Sequence, residues 1–255
     1  KNCSFKKINF KISNFNIVKI FLSFLTFTKH IKLYEDYVIH AITIKAIFYT
    51  IISTLFLKDK NIKFVLSFTG LGYLFINKNL FTFLIKFIFF ILLRNFIKKN
   101  NYNLIFQNLD DYNYIYSKVK FDKNKISLIK GSGVNLNYFN YSKQKITKKI
   151  NFTFISRLLY DKGIKEFMDA SNLILKKKID ASFTIIGDIY KDNPKSINEK
   201  LVLNWSNNKD KFYLGYKSNI RDYIINSNVI VLPSYREGMP KILIEASALG
   251  RPIIT

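Results

Sequence analysis

Short, unbroken apolar runs punctuate the chain, and the stretches between them carry apolar residues at helical spacing. The runs fall at 37–40, 62–68, 103–106 and 126–129 in the first half, and at 152–155, 183–186, 212–214 and 229–232 in the second. Continuous apolar runs, rather than strict alternation, are what strands buried on both faces of a parallel sheet require. Helices are expected over 41–56, 78–97, 164–177, 194–207, 219–225 and 240–249, and a last strand opens at Pro252. This alternation predicts an α/β fold with right-handed crossovers. The polar, Lys-rich stretch 135–149 shows no periodicity and reads as a linker. It divides the chain into an N-terminal Rossmann-like domain at 1–149, linker included, and a C-terminal one at 150–255. Two such domains would set the ends of two parallel sheets across a cleft, where ligands of open α/β sheets bind.

Charge changes the picture only in part. The chain has 41 Lys and Arg against 17 Asp and Glu, a formal net charge of +24, and residues 1–100 hold 16 of the basic residues against three acidic ones. A solvated Lys-rich surface accounts for this, as does an anionic membrane surface, a phosphate-bearing ligand or nucleic acid. The basic residues are spread out and no nucleic-acid-binding module is present. The longest apolar stretch, 80–93, is interrupted by Lys86 and is too short for a spanning helix, which takes roughly 20 residues. It reads either as a core helix or as an interfacial one, with Lys86, Arg94, Lys98 and Lys99 meeting lipid phosphates. The single cysteine, Cys3, forms no internal disulfide, and no Cys/His cluster has zinc spacing. The chain starts at Lys1 without the layout of a signal peptide and ends on an apolar run. It is expected to continue at both ends in the full protein.

The chemistry concentrates in 229–255. A strand ends near Leu232, a polar turn spans 234–238, Pro240 stands where a first helical residue would, and Gly250 closes the helix. Such a loop delivers backbone N–H groups at a helix N-terminus, an anion site. Glu237 lies before the helix and Glu245 within it. Carboxylates there accept hydrogen bonds from vicinal sugar hydroxyls. The spacing equally allows Glu245 to pair with Lys241 at i, i+4, with Glu237 a solvated turn residue. In the second half, Arg157 and Lys162 in S-R-L-L-Y-D-K-G are cations following a strand, suited to a diphosphate. Gly187 and Gly215 follow two further strands.

The segment E-G-M-P, the apolar helix, E-A at its centre and the G-R-P exit resemble the Glu–seven residues–Glu motif of retaining glycosyltransferases of the GT-B fold, in particular glycosyltransferase family 4. S-R-L-L-Y-D-K-G resembles that family's arginine-and-lysine phosphate motif, with Ser156 where the family often has Gly. The resemblance implies a UDP-sugar substrate and no cofactor. Glu245 would hold the ribose, Glu237 would face the donor hexose, and Gly238, Met239 and Pro240 would line the sugar and phosphate pocket. Arg157 and Lys162 would stabilise the departing diphosphate in place of a metal, consistent with the lack of an Asp-x-Asp motif. Asp110-Asp111 reads as a helix-capping turn. Gly187 would let the nucleotide approach the backbone, and Leu214 and Gly215 would lie near the base. On the acceptor side the family pattern points to His40 and Lys45 (His40 reads equally as a core residue) and to Thr69, Gly70 and Gly72.

T-G-L-G, F-Q-N and G-S-G-V together resemble a subgroup acting on undecaprenyl-diphosphate-linked sugars with UDP-N-acetylhexosamine donors. That implies a polyprenyl-diphosphate-linked or glycan acceptor, peripheral contact with an anionic membrane, and a place at the cytoplasmic face of the membrane. A UDP-sugar 2-epimerase shares the architecture. It would need further acid/base carboxylates and histidines, and only His30 and His40 are present.

Overall fold

The computed structural model describes residues 24–29, 38–56, 62–71, 75, 79–144, 148–191, 193, 195–235 and 237–255. Gly72, His30 and Cys3 lie outside the described residues. The chain falls into two compact units, Lys1–Lys130 and Gly131–Thr255.

Among the described residues, the first unit has four parallel strands in the order β1-β2-β3-β4: Val38–Ile42, Lys63–Phe68, Asn101–Phe106 and Ile126–Leu128. Helices α1 (Ile44–Thr54), α2 (Leu80–Lys99) and α3 (Leu109–Lys118) make the crossovers. Phe68 and Phe106 stack with ring centroids 4.7 Å apart at the centre of the core, and α2 closes it with Phe89, Leu93 and Phe96. Helix α3 was not foreseen as a helix, only as a capping turn at Asp110-Asp111. Asn108 caps it by accepting from the Asp111 N–H at 2.7 Å, and its first turn carries both acids, which favour the positive end of the helix dipole.

The second unit carries five parallel strands in the order β7-β6-β5-β8-β9: β5 Ile150–Ile155, β6 Ala181–Ile186, β7 Lys211–Tyr213, β8 Val229–Val231 and β9 Ile253–Ile254. Helices α4 (Ile164–Lys176), α5 (Glu199–Ser206), α6 (Arg221–Ile225) and α7 (Lys241–Ala248) connect them. The chain runs outward from β5 to β7, then returns to place β8 on the other side of β5. The strand order therefore reverses between β5 and β8. In open α/β sheets, ligands bind outside the carboxyl ends of the strands at such a point.

Residues 135–149, read from sequence as a linker, are folded onto this second unit wherever they are described. Arg221 donates to the Tyr138 carbonyl at 2.6 Å, and the Tyr141 ring lies against Gly250. Arg251, only 4% exposed, is the main tie. Its guanidinium donates to the carbonyls of Ser142 (2.7 Å), Leu249 (2.9 Å), Ile224 (3.2 Å) and Ile225 (3.0 Å). Three chain segments thus share one planar donor fork. Helix α5 starts at Glu199, later than expected, because Asn198 caps it and Ser196 bridges to Leu159 instead.

Candidate active site

The loop after β5 and the loop after β8 meet at the switch point. Leu158 and Leu159 are buried, and they pin the first loop to the core. At its end Gly163 adopts φ 77°, and a Cβ there would stand 2.1 Å from the Pro233 carbonyl oxygen. Only glycine allows both the left-handed backbone and this approach. The contact is continued by two hydrogen bonds to the Asp161 carbonyl, from the Tyr235 N–H at 3.1 Å and from the Ser234 hydroxyl at 3.2 Å. Tyr235 also donates its phenol to Glu166 at 2.5 Å, a bond that holds the phenol protonated to higher pH than usual.

This packing brings Lys162 and Glu237 into a direct ion pair, with both side chains largely buried. Glu237 is therefore not the solvated turn residue that its spacing also allowed. Two residues read from different motifs, 75 positions apart, share one place. Arg157 leaves the same loop but is exposed, its guanidinium 5.9 Å from the Tyr190 ring centroid. No direct contact joins it to Lys162 or Glu237 among the described hydrogen bonds and ion pairs.

Helix α7 begins just after Glu237 in the chain, at Lys241. Pro240 is its N-cap (φ −62°, ψ 122°) rather than its first helical residue, with no side-chain capping bond and no acid in the first turn. Its leading N–H groups lack the usual side-chain acceptor, so that end is suited to an anion. Gly238, Met239 and Pro240 are part-exposed, as pocket-lining residues must be. Gly131, assigned from sequence to the acceptor half, instead lies under this loop. At φ 71°, a Cβ on Gly131 would meet Met239 Cγ at 2.6 Å and Ile244 Cδ1 at 2.9 Å. The helix ends with Gly250 at φ 74°. Its N–H donates to Ser247 O at 3.0 Å and the Arg251 N–H to Ala246 O at 2.9 Å, a Schellman close.

Glu245 lies in α7 and is only 3% exposed. Burial pushes its carboxyl above the usual carboxylate range, and Lys241, 3.4 Å away, opposes that shift in part. The i, i+4 pair that the spacing allowed is thus formed. It leaves a buried carboxylate with a single, largely exposed cation.

The ends of β6 and β7 join the same edge. The Gly187 N–H donates to Gly215 O at 3.0 Å and the Leu214 N–H to Ile185 O at 3.0 Å. A Cβ on Gly187 would stand 1.8 Å from the Ser156 carbonyl oxygen. The glycine that was expected to admit a nucleotide is thus already required by the neighbouring strand end. A Cβ on Gly215, by contrast, meets nothing within 4 Å, so that turn is open. Among the described residues no group of three or more His, Cys, Asp or Glu side chains is placed to hold a metal.

In the first unit, His40 is an exposed residue of β1, not a core one, and its Nε2 lies 2.7 Å from Ser67 Oγ. Lys45 stands in the first turn of α1, 6.0 Å from the Tyr49 ring centroid, and burial lowers its pKa. Thr69 and Gly70 follow β2 and are half-buried, Gly70 with φ 121°. Thr43, before α1, has φ 83° and ψ 152°, a region that side chains other than glycine avoid.

A buried carboxylate, an ion pair and a helix start without a side-chain cap thus lie on the elements that follow the switch-point strands, where ligands of doubly wound α/β sheets bind. Residues 139–255 match the family model described as "Glycosyl transferases group 1". The N,N'-diacetylbacillosaminyl-diphospho-undecaprenol alpha-1,3-N-acetylgalactosaminyltransferase of Campylobacter jejuni is 33% identical over 144 residues, covering 52% of this chain and 36% of that protein. The UDP-Gal:alpha-D-GlcNAc-diphosphoundecaprenol alpha-1,3-galactosyltransferase of Escherichia coli is 30% identical over 171 residues, covering 62% and 43%. The chain thus spans well under half the length of these relatives. Anabaena HepE, solved with UDP and glucose, superposes with a TM-score of 0.71 at 14% identity over 93% of this chain and 63% of that one. A likeness of that kind shows the fold, which is the GT-B α/β class.

Proposed function

We propose that the protein is a retaining, metal-independent glycosyltransferase. It moves a hexosyl or N-acetylhexosaminyl group from a UDP-sugar to a polyprenyl-diphosphate-linked or glycan acceptor in cell-surface polysaccharide or glycoconjugate biosynthesis. The observation that carries this reading is the Lys162–Glu237 pair at the β5/β8 switch point, beside the uncapped start of α7. The names of the Campylobacter and Escherichia relatives support the lipid-linked acceptor.

In this reading Glu245 accepts hydrogen bonds from the ribose hydroxyls, and Leu214 and Gly215 lie against the base. The diphosphate sits at the N-terminus of α7, and its negative charge draws Lys162 away from Glu237. Glu237 is then free to accept from hexose hydroxyls, with Gly238 and Met239 alongside. Arg157, which is exposed, and Lys162 balance the charge that develops as the anomeric carbon–phosphate oxygen bond breaks. The acceptor hydroxyl forms its new bond to the anomeric carbon on the same face and gives up its proton to the departing diphosphate. Configuration is retained, and no side chain forms a covalent intermediate. The two cations supply the charge that a metal supplies elsewhere. His40, Lys45, Thr69 and Gly70 are assigned to the acceptor side. A nucleotide-sugar donor and a lipid-linked acceptor together support a reaction at the cytoplasmic face of a membrane.

The test is mass spectrometry of a lipid-linked acceptor after incubation of the full-length protein with a panel of UDP-sugars. The expected result is one added hexose or N-acetylhexosamine with stoichiometric UDP. Absence of UDP release with every acceptor, together with no calorimetric UDP-sugar binding, contradicts the reading.

A further inference from the structure

Among the described residues, two pairs of side chains join the segment that carries Lys162 to the loop that carries Glu237. One is the ion pair itself. The other stands close to it in the chain on both sides. Tyr235, two residues before Glu237, donates its phenol at 2.5 Å to Glu166, four residues after Lys162.

This second pair adds little to the fold. Tyr235 is 67% exposed, so its ring removes little apolar surface from water. Glu166 lies in the first turn of α4, and its Oε2 is shielded from solvent with no hydrogen-bond partner among the described residues. Desolvating a carboxylate oxygen without a partner is unfavourable. The neighbouring cation Lys165 is engaged with Asp169 at 3.0 Å. What the pair does supply is a short, charge-assisted bond that fixes the distance between two segments.

The remaining polar contacts leave the Glu237 loop with a pivot. The Tyr235 N–H and the Ser234 hydroxyl both donate to one atom, the Asp161 carbonyl oxygen. One shared acceptor holds the loop at a point but does not fix its direction. The phenol on Glu166 is a second point of attachment. The two side-chain pairs also differ in what a donor would do to them. In the transferase reading the diphosphate draws Lys162 away from Glu237, and the ion pair opens as the site fills. Lys162 ends a short 3-10 turn, Tyr160–Lys162, that has no side-chain capping bond. The phenol–carboxylate bond uses neither of the parting groups and stays closed.

We infer that Tyr235 and Glu166 are positioning residues for the transfer step. Their bond stops the Glu237 loop from turning about the Asp161 carbonyl, so Lys162 and Glu237 keep their places after they separate. The inference rests on the transferase reading and goes beyond it, since neither residue is assigned there to donor or acceptor.

The test compares steady-state transfer from a UDP-sugar to a lipid-linked acceptor with calorimetric titration of UDP, both on the full-length protein. Tyr235→Phe keeps the exposed ring and removes the bond. It should lower kcat about 10- to 100-fold, the size of effect a displacement near 1 Å produces. The donor KM and the Kd for UDP should stay within about three-fold, since the loss falls on the transition state. The urea midpoint should stay near that of the parent. Glu166→Ala should match Tyr235→Phe, and the double variant should fall no further, because all three remove the same bond. Glu166→Gln still offers the phenol an acceptor and should recover kcat to within about five-fold of the parent. Equal kcat in Tyr235→Phe and the parent overturns the proposal and leaves the transferase reading standing. So do losses of kcat that follow the urea midpoint and persist in Glu166→Gln, which would make the bond merely structural. A parent that binds no UDP and transfers no sugar overturns both.

Discussion

Both sheets are parallel and crossed by helices, but among the described strands only the second reverses its order. In the first unit the strands follow one another as β1-β2-β3-β4, and its assigned polar residues stand at separate strand ends. His40 meets Ser67, and Lys45 lies over Tyr49. In the second unit the return from β7 to β8 sets two loops side by side, and five residues from 161 to 237 become one hydrogen-bonded assembly: Asp161, Lys162, Ser234, Tyr235 and Glu237. The comparison teaches that strand order, more than the residue types themselves, decides where charge is concentrated. Both units have cations near strand ends, and the switch point pairs one of them, Lys162, with Glu237 of a second loop.

Four experiments break or sharpen this contrast. The largest effect is expected at Arg251. Arg251→Met removes the buried donor shared by four carbonyls and should cost the second unit about 3–4 kcal/mol in urea unfolding. Next comes Arg157→Ala. An exposed cation should contribute little to the fold, within about 0.5 kcal/mol. If it balances the departing diphosphate, however, kcat should fall by about 10²–10³. A drop in stability with unchanged kcat would move Arg157 out of the site.

Third is the pH dependence of Glu245. Its folded pKa is raised by burial, so the unfolded chain loses this proton first as pH rises. Above the ordinary value near 4.5 the folded state therefore binds more protons than the unfolded one, and stability falls with pH until the folded carboxyl ionises too. Glu245→Gln removes that slope and should be more stable than the parent at neutral pH, as read by urea titrations from pH 4 to 8. The smallest effect belongs to the first unit. His40→Ala removes one part-exposed hydrogen bond and should change stability by no more than about 1 kcal/mol.

The strands were legible because burial on both faces demands unbroken apolar runs, and the nine described strands lie where the sequence predicted them. Helix α3 was not, because Tyr, Asn and Ser fill its outer positions and weaken the 3.6-residue pattern. The separate motifs around Lys162 and Glu237 were readable, but their pairing was not. It depends on β8 lying beside β5 and on Gly163 against Pro233, neither of which leaves a local signal. The same holds for Arg251. It was read only as part of a motif exit, whereas its partner Ser142 lies 109 positions away in a stretch that looks like a linker. Gly131 under Met239 was placed in the wrong half for this reason too.

The central claim is that the second unit's switch point is a nucleotide site with Glu245 as its ribose acceptor. Calorimetric titration of UDP into the full-length protein and into its Glu245→Gln variant tests it most directly. The account predicts saturable one-site binding by the parent and about 10- to 100-fold weaker binding by the variant, as expected for loss of charge-assisted hydrogen bonds. Equal UDP affinity in the two proteins, or no binding by the parent, would contradict it.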